Sequence, residues 1–240
     1  MKRLALFSLA ATLLTAQATA PEVEITNEPH HHLTFENKSV RVFNVEVDPN
    51  AETLTHWHRH DYLAIALGPA EVTNVVKDKP PVTLKFQDGE TRFTPATFAH
   101  FVRDTGPQPF RNVTIEILED ANLRNSNAIW DPAKNEDRAL DILEGGTKQI
   151  LFVKDNVRVS EFELQPNVTI QTTPHPHPTL LVAITDLTLY IEDPRTHGSH
   201  QPAPKPHHLD VGASTWLPFG FNPLTNAGPQ IAKFVTLEFP

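Results

Sequence analysis

The chain predicts an all-β fold made of two tandem copies of one small domain, on three observations. The first is an internal repeat. Val40-Arg41-Val42 recurs as Val157-Arg158-Val159, an offset of 117, and ordered self-similarity is the mark of a duplicated unit. The same offset matches Glu46 with Glu163, Pro49-Asn50 with Pro166-Asn167, Thr55 with Thr172, His58 with His175, His60 with His177, Leu63 with Leu180 and Ala66 with Ala183. It drifts to 123 for Gly89/Gly212 and Pro95/Pro218, and to 122 for Val113-Thr114 and Glu116 against Val235-Thr236 and Glu238. The second observation is a series of short segments rich in Val, Ile, Leu and Phe, bounded by turn residues. The third is composition: 22 prolines in 240 residues suit short elements joined by turns better than long helices.

The first element is a leader. Lys2 and Arg3 precede an uncharged apolar run over 4–16, and small residues follow at Ala16, Ala18 and Ala20. That order is a secretory signal peptide, and an uncharged, mainly apolar stretch of 13 residues falls short of the ~20 needed to span a bilayer. Cleavage after Ala18 is favoured, because cutting after Ala20 would place Pro21 just past the scissile bond. The expected mature protein, periplasmic or secreted and without a membrane anchor, carries 18 basic and 29 acidic residues, a charge of 18 − 29 = −11. An acidic chain of this kind is not built to track nucleic-acid phosphates or anionic lipid, so no nucleic acid is expected. The absence of cysteine excludes disulfides, thiolate metal sites and cysteine nucleophiles.

A first barrel or sandwich is expected over 19–120, with its clearest strands at 39–47, 62–67 and 110–118. A polar, Asn-rich linker follows over 121–148. It holds one expected short helix over 135–143, capped by Asn135 and stopped by Gly145-Gly146. The second copy is expected over 149–240, with strands at 156–164, 180–192 and 231–239. The Pro- and His-rich stretch 193–208 reads as a long exposed hairpin connection.

Chemistry concentrates in His56-Trp57-His58-Arg59-His60. On a strand, alternate side chains share a face, so the three imidazoles could converge. Neutral imidazoles on the inner face of a barrel suit a divalent transition metal. His100, following Gly89, Pro95 and Phe98-Ala99, is the natural further ligand. His30-His31-His32 cannot all share one face and read as surface. His197, His200, His207 and His208 read as solvated. Trp57 and Trp130 are expected to pack, and Trp216 to be barrel core.

These motifs resemble the cupin superfamily, and because both halves take part the chain looks like a bicupin. Asn50 stands at the glycine of the family's first motif, five residues before His56-Trp57-His58, with Gly68 closing it. Gly89, Pro95 and His100 keep the spacing of the second motif, while Thr97 replaces a glycine and Asp104 an asparagine. The resemblance implies a jelly-roll barrel in each half and a metal held by His56, His58 and His100. The family's metal-binding glutamate would fall at Tyr62 or Leu63, so Asp61, His60, Tyr62 or water must take its place. In the second half Thr173 and Pro223 replace histidines, so that barrel is expected to hold no such metal; His175 and His177 read as remnants.

The expected function is therefore an exported small-molecule enzyme with one divalent metal, iron, manganese, nickel, copper or zinc. Dioxygenase-like chemistry leads, ahead of isomerase, lyase or hydrolase chemistry. Tyr62 or Asp61 would move a proton or hold the substrate, and His60 is the alternative ligand. The competing expectation is a non-catalytic module that binds a small sugar or acid. A homodimer is compatible with either.

Overall fold

The computed structural model describes residues 21–118, 140–154, 157–170, 177–192, 205–221 and 223–239. The first half contributes β1 (Val23–Glu24), β2 (His31–Glu36), β3 (Val40–Val47), β4 (His56–His58), β5 (Tyr62–Ala66), β6 (Ala70–Val76), β7 (Val82–Phe86), β8 (Thr91–Thr94), β9 (Phe98–Asp104) and β10 (Phe110–Ile117). They form two five-stranded sheets, β1-β4-β9-β6-β7 and β2-β3-β10-β5-β8. The second half contributes β11 (Leu140–Leu143), β12 (Gly146–Lys154), β13 (Val157–Leu164), β14 (Thr169–Ile170), β15 (Thr179–Ala183), β16 (Leu187–Ile191), β17 (Pro206–Leu209), β18 (Ser214–Leu217), β19 (Leu224–Asn226) and β20 (Ala232–Glu238). Its sheets run β11-β12-β13-β20-β15-β18 and β14-β19-β16-β17.

The repeat is visible in paired contacts. Arg41 on β3 lies opposite Glu116 on β10, and Arg158 on β13 opposite Glu238 on β20. Both close as ion pairs, at 3.0 and 2.5 Å. Asn50 and Asn167, one per copy, both adopt positive φ, a backbone region that asparagine tolerates better than most residues. Thr97 stands at φ 73° where its counterpart Gly220 stands at 67°. The threonine holds a left-handed conformation that costs a β-branched residue about 1–2 kcal/mol.

The two barrels pack on each other within one chain. A single buried cluster joins Val40, Val42, Leu63, Ile65 and Val113 to Val157, Val159, Leu180, Val182 and Val235, their repeat counterparts. The matched glycines Gly89 and Gly212 sit against this contact. A Cβ on Gly212 would come within 2.8 Å of Leu67 Cδ1, and one on Gly89 within 3.1 Å of Ile184 Cδ1. Trp216 is half-buried and stacks on Phe35 of the first half, so it serves the joint between barrels rather than a barrel interior.

The inner faces differ. In the second barrel Phe162, Leu181 and Phe234 belong to a buried cluster. They occupy the repeat positions of Val45, Ala64 and Asn112, which line a cavity in the first barrel. Phe162 and Phe234 stack at 5.0 Å. Larger side chains therefore take up, in the second copy, space that the first leaves open.

Two expectations about elements need correction. The expected helix over 135–143 ends in β11, which pairs with β12 in a tight hairpin; its remainder lies outside the described residues. Gly145, at φ 82°, is a hairpin-turn residue and not a helix stop. The expected strand over 180–192 is two strands, β15 and β16, broken at 184–186. Of the connection expected over 193–208, residues 193–204 lie outside the described residues; β16 pairs with β17, so Pro206, His207 and His208 are exposed strand residues. Thr173, His175, His197, His200 and Trp130 lie outside the described residues.

Candidate metal centre

β4 places His56 and His58 on the inner face of the first barrel, and β9, its antiparallel neighbour, sets His100 opposite His56. Trp57 between them turns outward, under the Arg59 guanidinium at 4.2 Å. The strand ends at His58, so His60 follows in a bend and does not join the cluster. His56, His58 and His100 are 1%, 1% and 7% exposed, and one nitrogen from each lies within 4.8 Å of the others.

The ring orientations are set by partners. His56 Nδ1 donates to the Leu54 carbonyl at 2.8 Å, and His100 Nδ1 lies 2.7 Å from Asn74 Oδ1. Each bond puts the ring proton on Nδ1 and leaves the Nε2 lone pair to face inward. His58 Nε2 stands 3.1 Å from His100 Nε2. Two nitrogens bound at right angles to one ion at about 2.1 Å would be about 3 Å apart. His56 Nε2 is buried with no hydrogen-bond partner. A buried nitrogen lone pair without a hydrogen-bond partner is the donor a bound cation would satisfy. The residues thus fit a divalent metal.

Burial, then the neighbouring His31, brings His56 down to about 4 against the opposing Leu54 bond. Burial first, and then the adjacent imidazoles, holds His58 and His100 well below the usual 6.5. All three are neutral at pH 7, the form that ligates. Because the folded pKa of His56 is depressed, the unfolded chain binds more protons between pH 6.5 and 4. The stability tied to His56 is therefore present above 6.5 and is lost as pH falls toward 4. Metal-free protein should be about 2 kcal/mol less stable at pH 5 than at pH 7 from His56 alone, read as a lower urea midpoint. A midpoint unchanged over that interval would contradict the buried neutral imidazole.

The other site residues separate. Of the two positions expected in place of a metal-binding glutamate, Tyr62 lines the cavity, whereas Leu63 faces the second barrel. The Tyr62 ring lies flat on His58, with centroids 4.0 Å apart. Burial pushes its phenol up to about 12, against a hydrogen bond with Thr94, so it stays protonated. Asp61 Oδ1 accepts the Ala96 N–H at 2.7 Å, which shapes the loop bearing Thr97. Neither Asp61 nor His60 lines the cavity.

Sequence reading missed the middle of the histidine triplet. His31 is not a surface residue: its side chain is 5% exposed, lines the cavity and lies 4.6 Å from His56 between ring centroids. Its Nδ1 meets Glu28 Oε2 at 2.6 Å. The Glu28 side chain is fully buried and also receives His30 Nδ1 and the Leu54 N–H. Burial works to raise its pKa, but these contacts, His31 foremost, bring it down to about 2. Glu28 therefore holds the rings of His30 and His31 directly and is linked to His56 through the backbone of Leu54. Asn74 was also missed. Alternation places either the middle one of three consecutive histidines or the two outer ones inward, but which depends on register, and the partners come from distant strands.

The cavity has a volume of about 470 Å³ and is walled mainly by apolar side chains such as Val47, Val72, Phe86, Phe98 and Phe110. No carboxylate is among its described lining residues.

No family profile matches the chain. Oxalate decarboxylase OxdC of Bacillus subtilis is 29% identical over 86 residues, 35% of this chain and 22% of that protein, so the match spans about a fifth of its length. A solved structure of the same decarboxylase superposes with a TM-score of 0.56 at 12% identity, covering 90% of this chain and 76% of that one. The 11S globulin from Wrightia tinctoria, described with an auxin binding site, gives 0.60 at 10% identity over 84% and 76%. Salicylate 1,2-dioxygenase from Pseudoaminobacter salicylatoxidans gives 0.54 at 9% identity over 84% and 72%. Identities this low speak to fold and not to reaction. With two β-barrels, matched motif positions and these neighbours, the chain has the cupin fold in its two-barrel, bicupin form.

Proposed function

We propose that the first barrel holds one divalent transition metal through His56, His58 and His100 and acts on a small molecule in the adjoining cavity. The observation that carries this reading is the set of three buried, neutral imidazoles, two with Nδ1 engaged so that Nε2 faces inward. The metal would serve as Lewis acid or oxygen-activating centre, and a three-histidine set without a carboxylate leaves positions for substrate and dioxygen or water. Dioxygenase-like chemistry is the leading reaction. Around the metal, Leu54 and Asn74 hold two ligands in place, Tyr62 backs His58 and keeps its proton, and Asp61 fixes the 94–97 loop at the rim. Apolar walls exclude water from the reacting group. The mature protein would work in the periplasm or outside the cell, after removal of residues 1–18.

A second reading is non-catalytic binding of a small sugar or acid. The lack of a carboxylate among the described cavity residues favours it, since any base there would have to be an imidazole such as His31.

Elemental mass spectrometry of tag-free protein beside a His56→Ala/His100→Ala variant tests the metal. About one equivalent is expected in the wild type and none in the variant. Equal metal in both, or an empty wild type that takes up no added metal, would remove the site. Oxygen uptake or product formation by the loaded protein then separates enzyme from binding module.

A further inference from the structure

The reach of His31 into the cavity is not accounted for by the three-histidine centre. It comes from an edge strand outside both family motifs, and it faces inward because of a local irregularity. His31 and Phe35 have the same parity on β2, yet His31 lines the cavity while Phe35 packs between the barrels. The pairing of β2 with β3 shifts register between Leu33 and Phe35, and a bulge of this kind turns the strand over. With Nδ1 engaged by Glu28, the ring offers its other nitrogen to the cavity. It stands beside His56 but 6.5 Å from His58 between centroids, outside the group whose nitrogens converge. That position suits a molecule bound next to the metal rather than the metal itself.

We propose that His31, oriented by Glu28, is a ligand-binding group of this site, and that its Nε2 hydrogen-bonds the acidic O–H of a small oxygen acid. The inference rests on the metal reading above and names the ligand class for that site. The ligand brings the proton, which is shared between its oxygen and Nε2. No bond other than that to hydrogen changes. Glu28, ionised and buried, balances whatever charge the imidazole takes up. Glu28 is a positioning residue, since it touches the ring and not the ligand.

The test uses cobalt-loaded full-length protein and acetohydroxamic acid, a small O–H acid, followed by the visible spectrum of the cobalt. His31→Gln should keep one equivalent of metal and weaken the probe about tenfold, the effect of one charge-assisted hydrogen bond. Glu28→Gln, which still offers an acceptor to the Leu54 N–H, should weaken it about threefold; a purely structural glutamate would leave the affinity unchanged. Circular dichroism checks folding, and His31→Asn replaces His31→Gln if the latter fails to fold. Equal probe affinity in wild type and the folded His31 variant overturns the inference and leaves the metal reading intact. So does a wild type that binds cobalt but not the probe. Loss of cobalt from the His31 variants overturns it too, because His31 would then be a metal ligand. A wild type that binds no metal removes both.

Discussion

Leu180→Asp is expected to lower stability by about 4 kcal/mol or more, enough to unfold much of a chain with ordinary reserves. Leu180 is fully buried in the cluster shared by both halves, opposite Trp216 on β18 and Leu237 on β20. An aspartate there loses the transfer energy of a leucine and places a carboxylate among the hydrocarbons of the shared cluster. The midpoint of a urea titration, followed by circular dichroism, would measure the loss. Because the cluster includes Val40, Val42 and Leu63 of the first barrel, the damage should reach the histidine-bearing half as well. A variant within about 1 kcal/mol of wild type would show that the shared cluster contributes little.

The second large effect is expected from the other end of the chain. A form beginning at His30 lacks β1 and Glu28, and should lose about 3–5 kcal/mol and bind metal at least tenfold more weakly. Ile25 is 3% exposed and belongs to the first-barrel core, so its removal opens a cavity. Val23 and Glu24 pair in parallel with His56 and Trp57, so β4 becomes an edge strand without them. Loss of Glu28 frees the Leu54 peptide and with it the ring of His56. A form beginning at Thr19 should match the full chain in the same melting and metal-binding assays. If the form beginning at His30 also matches it, residues 21–29 are ornament and the link from Glu28 to His56 is unimportant.

The parts of this architecture that were legible in sequence rest on local pattern and on repetition. Strands such as β3 and β10 were readable because alternation and bounding turns mark them, and the repeat confirmed each from its counterpart. His56, His58 and His100 were readable because motif spacing carries them. The short strand β4 limited that reading: periodicity alone extended it to His60, whereas the backbone bends after His58. The helix expected before Gly145 failed because Leu140–Leu143 has no intrinsic pattern strong enough to resist pairing with β12. Glu28, His31 and Asn74 were out of reach for a different reason. Their roles depend on which strands lie side by side and on a bulge within β2, and neither is written in any local window.

The shared cluster also changes how the fold responds to dilution. Two separate barrels meeting through the same apolar face would form an assembly whose population falls with protomer concentration. Here the partner face is tethered by the chain itself, so its effective concentration is set by the connecting segment and not by how much protein is present. The second barrel, filled by Phe162, Leu181 and Phe234, thus acts as a permanently supplied mate for the first. Mass action does not govern whether the two faces are covered, and the cavity-bearing barrel keeps its support even as a solitary molecule.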